Sequence, residues 1–369
     1  MAFFLKHHFD PDFNHLDIKA KVGQGDRVDH LNRDYVHNVV AGEVLAEWIE
    51  VPEEMEGAYD PRFLFDHKTF PIGPNCLVDP TNQDRFLAGV NGYVYYDLDR
   101  KIAVKTLLNI RCDVDYATGN ISFVGDIVVH GAIRSGFSVK GRNILVNGPV
   151  EGAAVEASGA MQIDAGVRGD NRAEIRANGS IKLKFCENAL VSAGKNVFVQ
   201  GSAMHCKIYA GNALAVGEKL IGGQVVCRRM VHVGEQLGGG LSTVTNIVLG
   251  YDPFLLHKMS EIEGRIEALQ RERPRMAAQA AKKLPNADQR FKDLEHEVDL
   301  FQKQLTILSG KLAAEDVSTC AVVAPGEVRP GVEVSIGQLF HSIADFLRNV
   351  RIRCKNNQIA VESPAEPGK

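Results

Sequence analysis

The chain has 369 residues, enough for roughly two to three domains, with 45% hydrophobic and 24% charged residues, the balance of an ordinary globular protein. Its net charge of −4 excludes a general attraction to nucleic acid or anionic lipid, and 7% aromatic residues against 35 glycines excludes a large aromatic core in favour of close-packed strands and turns. No apolar run approaches the roughly 18 residues that cross a bilayer, the start MAFFLKHHFDPDF lacks a secretory apolar stretch, and seven scattered cysteines without a CxxC pair read as reduced thiols of a cytoplasmic protein.

Residues 1–100 carry Pro and Asp clusters around Asp60-Pro61, Pro71, Pro74 and Asp79-Pro80. Short apolar runs at 39–46 and 93–96 predict a small α+β or β-rich domain with long loops.

Residues 101–252 repeat a unit of apolar residue, any residue, alanine, glycine, then two apolar residues spaced by one. Val155-x-Ala157-x-Gly159 leads into Met161 and Ile163, and Ile175-x-Ala177-x-Gly179 into Ile181 and Leu183. Val191-x-Ala193-Gly194 leads into Val197 and Val199, and Ile208-x-Ala210-Gly211 into Leu214 and Val216. A looser early copy runs through Val139, Gly141, Ile144 and Val146, and a later one through Val231, Val233 and Gly234. The four best copies start 20, 16 and 17 residues apart. Alternation by two puts Ile and Val on one face of a short strand. So short a unit cannot bury that face alone, so copies must stack. Glycine after each strand is expected to supply positive φ at a corner, and alanine to fit where the coil narrows. The predicted fold is therefore mainly β, a parallel β-helix; a right-handed coil is the expectation, but the spacing does not fix the hand. A β-sandwich is the competing fold.

Residues 253–315 change period. Leu255, Met259, Ile262, Ile266 and Leu269, then Phe291, Leu294, Val298, Phe301, Leu305, Leu308 and Leu312, alternate by four and three as heptad seams. Pro285 should end the first helix, with Asn286 and Gln289 as a capping box for the second, giving an inserted antiparallel coiled-coil hairpin. Pro274 should kink the first helix or split it in two. Residues 316–362 return to the strand pattern and are expected to rejoin or cap the β-helix, and 363–369 to be a disordered tail.

An ordered series of motifs resembles the flagellar assembly protein A (FapA) family. It comprises Asp113-Val114-Asp115-x-x-Thr118-Gly119-Asn120-Ile121, then Gly125, then Gly136-Phe137-x-Val139-Lys140, and Lys184-Phe185-x-Glu187-Asn188-Ala189. Ile221-Gly222-Gly223 and Arg329-Pro330-Gly331-Val332-x-Val334-x-Ile336-Gly337 complete it. Cys186 and Arg329 stand where an aliphatic and an aromatic residue are expected. The resemblance implies a bacterial protein with a β-helix like those of MinC and the bactofilins, associated with flagellar assembly and polar organisation, and carries over no catalytic residue.

The chemistry-bearing residues have plainer readings too. Asp113, Asp115 and Asp126 form a candidate carboxylate cluster, but Asp at strand ends more often bonds backbone in turns. His205 with Cys206 and Cys227 with His232 lack metal-ligand spacing, and cysteine is commonly a small buried hydrophobe. His7, His8 and His15 read as solvated residues near a terminus. Gly222-Gly223 and Gly238-Gly239-Gly240 lack the strand, helix and Lys-Ser/Thr pair of a phosphate loop and read as corners. Arg348, Arg351, Arg353 and Lys355 form a weak candidate basic patch beside Phe346, yet their alternation with Val350 and Ile352 equally describes the solvated face of a strand. Leu294, Val298, Phe301, Leu305 and Leu308 are the candidate partner-binding residues, since the second seam is longer than the first.

The expectation is a scaffold or assembly protein without catalytic residues, cofactor or metal. It would act in the cytoplasm, at the cell pole or the inner membrane surface, through a protein partner or self-association. The alternative is a ligand- or nucleic-acid-binding module in the N-terminal domain.

Overall fold

A computed structural model describes residues 2–13, 21–22, 28–29, 31, 33, 35–97, 99–281, 287–313 and 316–363. The chain is mainly β, with a parallel β-solenoid of about 8 turns, a two-helix hairpin and small antiparallel sheets near the N-terminus. It divides into two compact units, Met1–Lys184 and Phe185–Lys369.

The first unit opens with antiparallel strands. Ala2–His7 pairs with Val44–Val51 and Leu64–Phe65, and Arg85–Ala88 joins Val44–Val51 to Cys76–Val78. A second small sheet holds Asn38–Val39, Gly92–Tyr96 and Ile102–Lys105. Their inward side chains, among them Leu5, Leu45, Trp48, Phe86, Ile102 and Val104, form one buried cluster.

From Leu107 to Leu249 the pairing is parallel, which rules out the sandwich. Leu108, Ile127, Ile144, Met161 and Ile181 stack in one column, each opposite the next. Ile121, Val139, Val155 and Ile175 stack in a second. Val114, Ile133, Val150 and Val167 stack in a third. All thirteen point inward and are buried. Each such aliphatic side chain contributes about 1.5–3 kcal/mol on burial, so the coil is held by ladders that no single turn could supply.

The second unit repeats the three ladders. Val191, Ile208, Val225, Ile247 and Val334 form one; Val197, Leu214, Val231 and Val322 another; Ala203, Leu220, Leu237 and Val328 the third. Strands Ala321–Val328 and Val332–Ile336, after the helices, thus rejoin the coil in parallel register. Leu339–Ile343, Leu347–Lys355 and Gln358–Glu362 then turn antiparallel and close the ladder.

The repeat glycines do a different job from the one expected of them. Gly211 has no positive φ; a Cβ there would lie 2.0 Å from the carbonyl oxygen of Gly194. Glycine at this place lets one turn approach the next without a side chain between. Left-handed corners occur elsewhere, at Asn188, His205 and Gly222, residues of successive turns with φ of 47°, 53° and 66°. Asn and His tolerate that region better than most side chains, so the corner is built without glycine at two turns.

Helix α1 spans Pro253–Ala281 and helix α2 spans Ala287–Lys311. Asp252 starts α1: its Oδ1 accepts from the backbone N–H of Phe254 (2.9 Å) and Leu255 (3.2 Å), with Pro253 at the first helical position. Pro274 does not split α1, which continues through it; packing against α2 outweighs the hydrogen bond the proline cannot donate. Pro285 and Asn286, where a helix stop and capping box were expected, lie outside the described residues, as do 364–369 of the expected tail.

Candidate functional site

The hairpin is fastened to the solenoid wall at its base. Asp252 Oδ2 accepts a hydrogen bond of 2.5 Å from Arg228 Nη2, and His257 stacks on Tyr209 at 4.3 Å between centroids. Farther along, Arg265 pairs with Glu297 and Arg273 with Glu295, each at 2.9 Å across the two helices. The seam between the helices closes over Ile262, Ile266, Leu269 and Leu294, all buried.

Of the five candidate partner-binding residues, Leu294 is buried, and Val298, Phe301, Leu305 and Leu308 are half-buried. They continue the heptad seam towards α1. The apolar side chains that α2 offers to solvent are Leu300 and Ile307, 46% and 59% exposed and one heptad apart. Both fall outside the four-and-three spacing by which the seam is recognised, and a helical wheel of α2 would have set them on a second face.

The basic stretch lies on Leu347–Lys355. Val350 and Ile352 point inward and are buried, while Arg348, Arg351 and Lys355 are exposed and Arg353 half-exposed. Arg353 and Lys355 share Glu362, at 2.7 and 3.1 Å, which draws the Glu362 carboxyl below its ordinary pKa, Lys355 being the larger cause. Among the described residues no carboxylate forms an ion pair with Arg348 or Arg351.

The three aspartates do not converge. Asp115 accepts from the backbone N–H of Ala117 at 2.7 Å, a turn within its own loop. Asp113 bonds the next turn, accepting from the Ala132 N–H at 2.8 Å and pairing with Arg134 at 2.6 Å, and Arg134 reaches on to Glu151 at 3.0 Å. Asp126 likewise pairs with Arg142 at 2.7 Å. Glu151 stands opposite Arg168, so acid and base alternate along this column. In-register parallel stacking would otherwise set like charges some 4.8 Å apart. The backbone N–H of Ala132, then Arg134, holds the Asp113 carboxyl below the usual range.

Cys206 and Cys227 are buried, and burial pushes the Cys227 thiol well up, which opposes the thiolate a metal requires. His205 sits at a left-handed corner, and His232 is on the outer surface of its strand, opposite in sense to its buried neighbours Val231 and Val233. No group of three or more His, Cys, Asp or Glu side chains among the described residues is placed to hold a metal. Gly222 and Gly223 are left-handed corners, as are Gly238 and Gly240.

In the N-terminal sheets His7 is enclosed rather than solvated. It packs against Phe63 at 4.4 Å and shares a 2.5 Å hydrogen bond with the Tyr96 hydroxyl. Burial, then the neighbouring Arg62, lowers its pKa from 6.5 to about 4, so the imidazole is neutral at pH 7. Beside it is a cavity of about 290 Å³ lined by Arg62, Phe63, Phe65, Tyr96 and Arg100, among others. Arg62 is neutralised by Asp12 and Asp60 at 2.7 and 2.8 Å. No spacing rule links residues 7, 62 and 96, so sequence reasoning could not assemble this cluster.

Among the described residues, no helix is long and apolar enough to cross a membrane. The family model of the Flagellar Assembly Protein A beta solenoid domain matches residues 106–359, spanning both sets of ladders, the helices and the antiparallel closing strands. No curated protein and no solved structure matches the chain.

Proposed function

Since the chain belongs to the flagellar assembly protein A family, we propose that it is a non-catalytic scaffold of flagellar assembly whose helical hairpin engages a protein partner. Within the second unit the solenoid supplies a stiff support for the arm, because its turns are fixed by three ladders at once. The observation that carries the reading is the arm itself: it is pinned at its base by Arg228–Asp252 and His257–Tyr209, while Leu300 and Ile307 remain uncovered on α2. A satisfied intramolecular seam has no need of those two side chains, whereas a partner helix does. Self-association of the scaffold belongs to the same reading, as does action in the cytoplasm, at the pole or the inner membrane surface.

The test is affinity capture from the native bacterium with the full chain, with a chain lacking 254–314, and with Leu300→Glu/Ile307→Glu. The expected result is a partner retained by the full chain and lost from both variants. Identical capture by all three refutes the hairpin as the contact.

A second reading rests on the cavity beside Tyr96: a small-ligand site in the N-terminal sheets. An aromatic carboxylate or a mononucleotide would be expected to raise the melting temperature of the full chain and not of Phe63→Ala. No shift with either compound class removes it.

A further inference from the structure

The outward side of one solenoid face in the second unit is apolar, although solvent-facing positions of a coil are ordinarily polar. Strands Asn196–Val199, Ala213–Val216, Met230–Val233 and Ala321–Val328 lie in register side by side. Their inward residues are Val197, Val199, Leu214, Val216, Val231, Val233, Val322 and Ala324, all buried. Alternation therefore turns Phe198, Ala215, His232 and Val323 outward in one row, with Asn196, Ala213 and Met230 in the row beside it, so Asn196 and His232 are the polar members of an otherwise apolar field. Phe198 is 46% and Met230 43% exposed, so α1, which packs on the wall formed by Ala203–Ala210 and Lys219–Cys227, leaves them open. The alanines between them make the face flat and let a partner approach closely.

The fifth strand gives the face a charged border. Arg351 stands directly opposite Val323 and Arg353 opposite Ala321. Glu362 stands opposite Arg351 in the register, but its carboxylate pairs with Arg353 and Lys355, so this border carries more cations than carboxylates and the exposed Arg351 forms no ion pair among the described residues. No outward position on the four strands between Asn196 and Val323 is acidic. An apolar field with a cationic edge complements an apolar stripe with an anionic edge.

We propose that this face, Phe198–Ala215–His232–Val323 with Met230 and bordered by Arg351, is a docking surface for an amphipathic helix whose apolar stripe is flanked by carboxylates. A flat sheet face covered by such a helix is the ordinary helix-on-sheet layer. The surface is separate from the hairpin contact and does not depend on it.

The experiment measures fluorescence anisotropy with the full chain. The probe is a labelled helical peptide of about 20 residues, with leucines at heptad a and d positions and glutamates beside them. Its counterpart carries lysines in place of the glutamates. The acidic peptide is expected to bind, with affinity falling as salt rises, and the basic peptide to bind at least about tenfold more weakly. Phe198→Ser/Met230→Ser and Arg351→Glu are each expected to weaken the acidic peptide about tenfold or more while leaving the melting temperature near that of the parent, since all three side chains are on the surface. Leu300→Glu/Ile307→Glu should bind it unchanged, which separates this surface from the arm. Equal binding of both peptides, or full binding by the two face variants, overturns the proposal. So does a parent chain that dimerises through this face and ignores the acidic peptide, or one that binds anionic phosphatidylglycerol vesicles instead.

Discussion

The side chain of Asn38 hydrogen-bonds the solenoid's first turn at both of its amide ends: Nδ2 donates to the Ser122 carbonyl at 2.8 Å, and Oδ1 accepts from the Val124 N–H at 3.1 Å. One carboxamide thus takes the place that a neighbouring strand takes on every later turn. A terminal turn with unpaired backbone invites another chain to pair with it, and Asn38 answers that locally. Asn38→Leu, which has neither group, is expected to lower stability by about 1–2 kcal/mol. The specific signature is faster amide exchange at Val124, with Val155 unaffected. Unaltered protection at Val124 would show that water serves as well.

Gly211 and Gly136 separate two reasons for glycine. At Gly211 a methyl would meet the Gly194 oxygen at 2.0 Å, whereas at Gly136 nothing lies within 4 Å and only the φ of +86° resists substitution. Gly136→Ala should cost about 1–2 kcal/mol of left-handed strain. Gly211→Ala must push two turns apart and should cost more, about 3 kcal/mol or beyond. Thermal unfolding of the two variants orders them, and equal costs would refute the close-approach account.

Arg134 lies between Asp113 and Glu151. Arg134→Glu sets three carboxylates along one column and should lower the melting temperature at pH 7, less so in high salt. Acid dependence follows from Asp113, whose folded pKa lies below the ordinary 3.8. Its contribution is complete above the unfolded value and is lost as pH falls through the folded one. In Arg134→Gln the Asp113 titration, followed by carboxyl NMR, should move up towards 3.8 but stay below it, because the Ala132 N–H remains.

His7 adds acid sensitivity of the same sign at higher pH, with burial of a neutral imidazole as its main cause. Its pKa is about 4 folded against 6.5 for the free side chain, so between those pH values the unfolded chain binds a proton that the folded chain does not. Stability therefore falls as pH drops from 6.5 and levels off below about 4. His7→Phe should remove that slope from the melting curve of the N-terminal sheets while preserving the contacts to Phe63 and Phe9. A variant with the parent's pH slope would assign the sensitivity elsewhere.

Leu294 and Leu300 test which side of α2 is seam. Leu294 is 6% exposed and Leu300 46%. Leu294→Glu should cost about 3 kcal/mol and visible helical circular dichroism, whereas Leu300→Glu should fall within about 0.5 kcal/mol of the parent. Comparable losses would place Leu300 in the hairpin's own packing.

The solenoid was legible because its physics is periodic. Val155, Ile175, Val191 and Ile208 recur at the same place in each copy, and the two same-unit steps stack as the spacing requires: Val155 on Ile175, Val191 on Ile208. The helices were legible for the same reason, as was the inward alternation of Val350 and Ile352. The role of the glycines was not, since a composition rule cannot distinguish a residue that needs positive φ from one that needs no Cβ, and Asn188 and His205 hold left-handed corners without being glycine. The cluster of His7, Phe63 and Tyr96 and the clasp of Asn38 on Ser122 were invisible, because each joins residues with no shared period. The exposed face around Phe198 was hidden differently: in a sequence, an apolar residue on the wrong side of a strand looks like one more core position.

Where α1 leaves the coil and where the chain comes back are neighbouring points: a Cβ on Gly250 would lie 3.6 Å from the Cys320 sulphur, and Ala321 settles directly on Met230. The arm is thus an excursion from a circuit that closes without it, and closing a longer excursion costs only logarithmically more. Reach becomes a free variable in such a chain. Heptads can be added to or taken from the arm, altering how far it extends, while every turn of the coil keeps its register.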